Sequence, residues 1–279
     1  MEKQNIGEVE LLKQALSYGL EYKSGARTRH IYPKPQDLEN LDIFEETFQS
    51  EPEDPIKILE KLHRYGSPGT VMHTGGRYFG FVNGGILPIG LAAKILGSFW
   101  DQNAAMHVLS PVTSKLETVV EGWLREIFGL PDGTVAGFVS GSSVANLSGL
   151  SAGRYRLLMN MGWDVNKKGL SAAPGIKVIC SSEVHSTVIK TLGILGFGRD
   201  NITFIQTDEQ GRIKPDKIGE LDNRTLLVLA AGNVNSGSFD DFNEICSRAK
   251  DNGSWVHIDG AFGLWAAASK KLSYLTKGI

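Results

Sequence analysis

Cysteine is scarce in this chain: the 279 residues hold two, Cys180 and Cys246, with no Cys-x-x-Cys pair and no Cys/His ligand spacing. A disulfide framework and a zinc site are therefore not indicated, and a reducing, cytoplasmic setting fits. Apolar runs long enough to span a bilayer are missing, and Met1-Glu2-Lys3-Gln4-Asn5 lacks the basic segment and apolar core of an export signal. Charge of one sign is missing too. With 29 Lys and Arg against 31 Asp and Glu the net charge is -2, which argues against nucleic acid or an anionic membrane as the main partner. Repeats, low-complexity tracts and the Gly-x-x-x-x-Gly-Lys-Ser/Thr loop of P-loop enzymes are absent as well. What is present is a globular composition, 41% hydrophobic and 22% charged, long enough for one large domain or two smaller ones. Its 33 glycines imply many tight turns or close backbone approaches.

Along the chain, Val9, Leu12, Leu16 and Leu20 stand near helical spacing and predict a helix over 5–22. Pro33-Lys34-Pro35 and Glu51-Pro52-Glu53-Asp54-Pro55 then break the chain into short pieces, so residues 1–75 read as an N-terminal helical extension. Residues 73–90 mix aromatics with glycines, which suits either a pocket-lining loop or aromatics tucked into the core. From Ser110 the pattern is regular. Ser110 and Pro111 can open a helix whose apolar stripe ends at Gly129. Short apolar runs at 137–139, 176–180, 202–205, 226–230 and 255–258 then alternate with helical patterns at 143–161, 183–195 and 240–251. That alternation predicts an α/β fold, a mostly parallel sheet with helices on both faces and right-handed crossovers.

The chain is organised around Trp255-Val256-His257-Ile258-Asp259-Gly260-Ala261-Phe262-Gly263, a strand that delivers an acid beside small residues to the ligand-binding end of a parallel sheet. A flat ligand could lie on Ala261 while Asp259 reaches a ring nitrogen; a loop-capping Asp is an equal alternative from this stretch alone. Three further junctions fall where strands end. Ser140-Gly141-Ser142-Ser143-Val144-Ala145-Asn146 joins a strand to the long helix, where free amides, hydroxyls and the helix dipole suit a phosphate, although Ser is also an ordinary cap. Ser181-Ser182-Glu183-Val184-His185 places an imidazole in a first helical turn, able to stack on a ring or to serve structure. Ala231-Gly232-Asn233 puts an amide side chain on the same rim, where a plain polar turn would look alike. An anion cradle, a flat residue, a polar side chain and a ring-nitrogen acid, in that order, match the needs of pyridoxal 5'-phosphate.

On Phe79-Gly80-Phe81, Trp100-Asp101-Gln102-Asn103, Ser110-Pro111, Gly141-Ser142-Ser143, His185-Ser186, Gly232-Asn233 with Phe239-Asp240, and His257-Ile258-Asp259-Gly260-Ala261-Phe262, the sequence resembles the group II pyridoxal-phosphate-dependent amino-acid decarboxylases, from about Arg77 to Ile279. The resemblance implies a fold-type I transferase-like architecture, with 76–279 as the large cofactor-binding domain. It implies Ser142, Ser143 and the Val144 amide on the phosphate, His185 stacked on the ring, Asn233 near its substituents, Asp259 on the pyridinium nitrogen and Ala261 beneath the ring. The implied reaction removes the α-carboxylate of an L-amino acid through an external aldimine and a quinonoid, with His185 and Asp259 as catalytic residues, in a homodimer. The family's Schiff-base lysine and small C-terminal domain have no counterpart here. Lys270, Lys271 and Lys277 lie too close to Asp259, so the expectation is a chain truncated before that lysine, inactive by itself and with apolar surface uncovered.

Competing readings stay open. An aminotransferase or carbon-carbon lyase would use nearly the same pocket, and a non-catalytic cofactor-binding or interaction remnant is the alternative outside the enzymes. Gly149-Leu150-Ser151-Ala152-Gly153 matches the Gly-x-Ser-x-Gly of serine hydrolases, but Ser151 falls inside a predicted helix, where a nucleophile elbow does not.

Overall fold

The computed structural model describes residues 2–279, with side chains from residue 7 onward. The chain divides into two compact units, one running to Asp101 and one from Gln102 to Ile279. The segment from residue 76 to the end of the fourth helix thus groups with the helices before it, whereas the sequence reading broke the chain at 75/76.

The first unit is built from α1 (Glu2–Ser24), α2 (Pro35–Glu39), α3 (Pro55–Lys61) and α4 (Pro88–Trp100). Prolines open the last three, where a missing N–H costs nothing. Arg29 ties the unit together. Its guanidinium donates to the carbonyls of Ser67, Pro68 and Thr70 and lies 4.7 Å above the Tyr22 ring. The Tyr18 and His63 rings stack at 4.0 Å beside it. The α1 stripe of Val9, Leu12, Leu16 and Leu20 is exposed. So are Phe79 and Phe81, each 92% accessible, and the core-packed reading of this Gly-rich stretch does not hold. Phe81 and Val82 both sit at positive φ, 54° and 56°, a strained conformation for such side chains.

The second unit carries the sheet. α5 (Pro111–Phe128) starts after Ser110 and ends on Gly129 in the left-handed region at φ 63°. α6 (Ser142–Asn160) and the single turn α7 (Val165–Lys168) lead into β1 (Lys177–Ser181). α8 (Ser186–Ile194), β2 (Ile202–Ile205), β3 (Thr225–Ala230), α9 (Phe242–Asp251) and β4 (Trp255–Asp259) follow. The strands form one parallel sheet in the order β2-β1-β3-β4. Gly137-Phe138-Val139, expected as a further strand, joins no ladder among the described residues. A short extended segment is a strand only through a hydrogen-bonded neighbour, and here neither sheet edge pairs with it.

Strand alternation sorts the core into two layers. Val178, Cys180, Leu226 and Val228 pack under α6 and α8 with Leu150, Leu157, Val188 and Leu192. Ile179, Leu227 and Leu229 face Phe242, Ile245 and Ala249 of α9. The α8 crossover moves the chain from β1 outward to β2, whereas the α9 crossover moves it the opposite way, from β3 to β4. Crossovers of one hand that run in opposite directions must lie on opposite faces, as these do. The strand order therefore switches between β1 and β3, the position where open α/β sheets bind ligands at the strand ends. The two cysteines belong to different layers, so they cannot pair. Burial lifts the thiol pKa of Cys180 to about 12 and that of Cys246 to about 11. Among the described residues no helix is long and apolar enough to cross a membrane.

Two details hold α6 and α9 in place. A Cβ added at Gly153 would lie 2.6 Å from the Trp255 ring, and one at Gly149 would lie 2.9 Å from His257, so α6 rides directly on β4. This is the role of both glycines around Ser151, which sits in mid-helix and is no nucleophile elbow. Asp241 caps α9 by accepting the Glu244 N–H at 3.1 Å. Its neighbour Asp240 turns inward and accepts the N–H groups of Ile213 and Ala230, each at 2.8 Å. Burial raises the Asp240 pKa while those two amides oppose the rise.

Gly153→Ala is expected to destabilise the chain by about 1–3 kcal/mol through overpacking on Trp255. Gly122→Ala in α5, where an added Cβ meets nothing within 4 Å, is expected to stabilise it by up to about 1 kcal/mol. Asp240→Asn leaves one of its two amides facing an N–H instead of an acceptor, which should cost about 1–3 kcal/mol. Denaturant unfolding of the purified variants measures all three.

Candidate active site at the strand ends

The elements that deliver the site meet through one side chain. Asn146, 4% exposed, stands one helical turn into α6. Its Nδ2 donates to Asp259 Oδ2 at the end of β4 (3.2 Å) and to Thr187 Oγ1 in the first turn of α8 (3.5 Å). Its Oδ1 accepts from His257 Nε2 at 2.8 Å. Asp259 Oδ1 accepts the Ala261 N–H at 3.1 Å. Four residues of helix, about 6 Å of rise, separate Ser142 from Asn146. The helix opening, the α8 opening and the β4 acid are therefore neighbours on one rim.

The α6 opening is built for an acceptor. Gly141 stands at the N-cap with no side chain to offer, and Ser142 and Ser143 are the first helical residues, exposed, with their amides ahead of the helical ladder. That ladder begins with the Val144 N–H, which already bonds the Gly141 carbonyl at 3.0 Å. Of the three expected donors, Ser142 and Ser143 head the helix, whereas the Val144 amide has a partner. Unsatisfied first-turn amides and the dipole of a 19-residue helix make this end attractive to an anion.

His185 is the N-cap of α8 rather than a residue of its first turn, since the helix starts at Ser186. Its Nδ1 accepts the Thr187 N–H at 3.3 Å and lies 2.7 Å from Thr187 Oγ1, while the ring is exposed. Asn233 is held differently. Its Nδ2 donates to Glu183 Oε2 at 3.0 Å, and its Oδ1 accepts the N–H groups of Asn235 (2.9 Å) and Ser236 (3.3 Å). Thr207 Oγ1 donates to the other Glu183 oxygen at 2.8 Å. Glu183 thereby knots the loops after β1, β2 and β3. Ala261 is exposed in the turn directly after Asp259.

Asn146, Glu183 and His257 stood in the stretches singled out from the sequence, but their roles, and Thr187 altogether, were missed. A signal for Asn146 existed: it shares the buried side of α6 with Leu150, Gly153 and Leu157, and a polar amide in such a row demands partners. His257 and Asp259 fall two apart on β4 and so face the same layer. Burial pushes the His257 pKa below its ordinary value, against a smaller opposite pull from Asp259, and the ring stays neutral.

With this geometry in hand, known proteins give a consistent answer. Residues 35–279 match the model of the pyridoxal-dependent decarboxylase conserved domain. An aromatic-L-amino-acid decarboxylase from Bacillus atrophaeus is 28% identical over 264 residues, 90% of this chain and 52% of that protein. A cysteine sulfinic acid decarboxylase from Mus musculus is 27% identical over 264 residues, 89% of this chain and 50% of the relative. Among solved structures, mouse CSAD in its apo form superposes with a TM-score of 0.87 at 23% identity, covering 98% of this chain and 59% of the other. Oryza sativa TDC with PLP and tryptamine gives 0.83 at 19% identity, covering 96% and 58%. These two likenesses establish the fold, and the chain spans about half the length of the curated relatives it matches. A domain model that covers most of the chain, on a parallel sheet with a helix opening and an acid meeting at the strand ends, leaves one assignment: the chain belongs to the pyridoxal-dependent decarboxylase family.

Proposed function

We propose that this chain supplies the cofactor-holding part of a pyridoxal 5'-phosphate-dependent decarboxylase acting on an L-amino acid. The observation that supports the reading is the Asn146 to Asp259 hydrogen bond, which brings the first turns of α6 beside the acid at the end of β4. The residues fit the group: first-turn amides and serine hydroxyls for a phosphate, a carboxylate for a ring nitrogen, a small Ala261 that leaves room for a flat ring, and an exposed imidazole beside them.

When bound, the cofactor supplies a protonated pyridine ring that takes up the electron pair left as a carboxylate departs as carbon dioxide. Asp259 would hold the proton on that nitrogen through a charge-assisted hydrogen bond, roughly twice as strong as a neutral one. Two fixed donors, the Ala261 amide and Asn146, leave each carboxylate oxygen a further lone pair for it. Ser142 and Ser143 would hold the phosphate, with Val144 in the same turn, and His185 would cover one face of the ring. Asn233, tied by Glu183, would close the rim near the ring substituents. Lys270, Lys271 and Lys277 are exposed, and none is proposed as the Schiff-base partner.

Decarboxylation, rather than transamination or carbon-carbon cleavage, is supported by the relatives, which are named as decarboxylases of aromatic, acidic and sulfinic amino acids. A homodimer as the working unit and a cytoplasmic location belong to the same proposal; the exposed apolar stripe of α1 and the unpaired thiols are in keeping with them.

Titrating the purified chain with pyridoxal 5'-phosphate, followed by visible absorbance and equilibrium dialysis, tests the reading. Saturable binding is expected, weakened about tenfold or more, or about 1.4 kcal/mol, by Asp259→Asn, and weakened likewise when pyridoxal replaces its phosphate ester. No saturable binding, or equal affinity for the two ligands, would refute it.

A further inference from the structure

The amide of Asn146 has only one way to satisfy its surroundings. Asp259 Oδ2 is an acceptor, so the atom 3.2 Å from it must be Nδ2. That leaves Oδ1 facing His257, and the 2.8 Å contact requires the imidazole proton on Nε2. The second Nδ2 hydrogen goes to Thr187 Oγ1, 3.5 Å away. Independently, His185 Nδ1 accepts the Thr187 N–H at 3.3 Å, so at 2.7 Å it takes the Thr187 hydroxyl proton as well, and the threonine oxygen is left to accept from Asn146. His185 must therefore carry its proton on Nε2. The directions of the bonds follow from the carboxylate at one end and the Thr187 amide at the other.

We propose that Asn146 is a positioning residue that, oriented by His257, fixes the two groups meant for opposite parts of the cofactor ring: Asp259 directly and His185 through Thr187. This rests on the cofactor reading above and deepens it. Neither Asn146 nor His257 needs to touch the ring. Gly149 is what admits the His257 side chain, since a Cβ there would lie 2.9 Å from both Cε1 and Nδ1 of the imidazole. Burial lowers the His257 pKa and so favours the uncharged ring, which orients Asn146 through its Nε2–H at 2.8 Å. A purely structural Asn146 would hold α6 on β4 and have no bearing on the nitrogen signals of His185.

Nitrogen-15 labelling of the histidines, with side-chain nitrogen-proton correlation spectra near neutral pH, reads both tautomers without cofactor. In the unsubstituted chain His185 and His257 are expected in the Nε2–H form. In Asn146→Ala, the His185 Nδ1 signal should shift as the Thr187 hydroxyl loses its donor, while the Thr187 amide keeps the Nε2–H form, and affinity for pyridoxal 5'-phosphate should fall about tenfold. His257→Leu should act in the same direction, whereas His257→Gln, whose side-chain amide can still donate to Asn146, should restore both readouts. An Nδ1–H tautomer at either histidine of the unsubstituted chain overturns the inference, and so does an unchanged His185 spectrum in Asn146→Ala. Should that variant fail to fold, equal behaviour of His257→Gln and His257→Leu overturns it instead. Failure of the unsubstituted chain to bind the cofactor would sink the functional reading, while the tautomers would still decide the relay.

Discussion

Asn146 is the polar side chain that α6 sends into the sheet, and the geometry of the strand ends depends on how its amide is satisfied. An isolated amide buried at that depth costs on the order of 1–3 kcal/mol, so the site is stable only with its acceptor turned to His257 and its donors to Asp259 and Thr187. The close approach that makes those bonds possible is set by what α6 lacks: Gly149 and Gly153 let the helix rest against the rings of His257 and Trp255. Residues distant in sequence thus share one short chain of hydrogen bonds.

The two faces of the sheet divide the labour. In the layer under α9 the buried carboxylate of Asp240 pins the loop at Ile213 to the end of β3. The layer under α6 and α8 turns polar at the strand ends, where Asn146, His257 and Asp259 stand. Around that rim Glu183 joins Thr207 and Asn233, so the loops after three strands hold their shape through one carboxylate. The strand order switches between β1 and β3, the position at which open α/β sheets bind ligands.

Much of this was legible in the residues, unevenly. Val178 to Cys180 and Leu226 to Leu229 are continuous apolar runs, as strands buried on both faces must be, and they lie within a residue of where they were expected. Gly141-Ser142-Ser143 was read correctly as a helix opening because cap chemistry is local. His185 was placed one step inside its helix, although its side chain is the cap. Gly137-Phe138-Val139 has the composition of a strand and joins none, because pairing is not a property of three residues. Phe79 and Phe81 show the same limit: aromatic and apolar, yet open to solvent.

By itself the sequence determined what local rules can carry: the alternation of strands and helices, the caps, the small residues, and which residue types stand at each strand end. Its motifs also pointed to the family that the domain match establishes. Only the tertiary structure decided which of those ends meet, because hydrogen-bond partners 111 and 113 residues apart, as His257 and Asp259 are from Asn146, leave no trace in local periodicity. It also decided that Asn233 is committed to Glu183 and that Asn146 is the amide linking helix to acid. A side chain's type limits the bonds it can make, but which of them it makes depends on the neighbours that folding brings within about 3 Å.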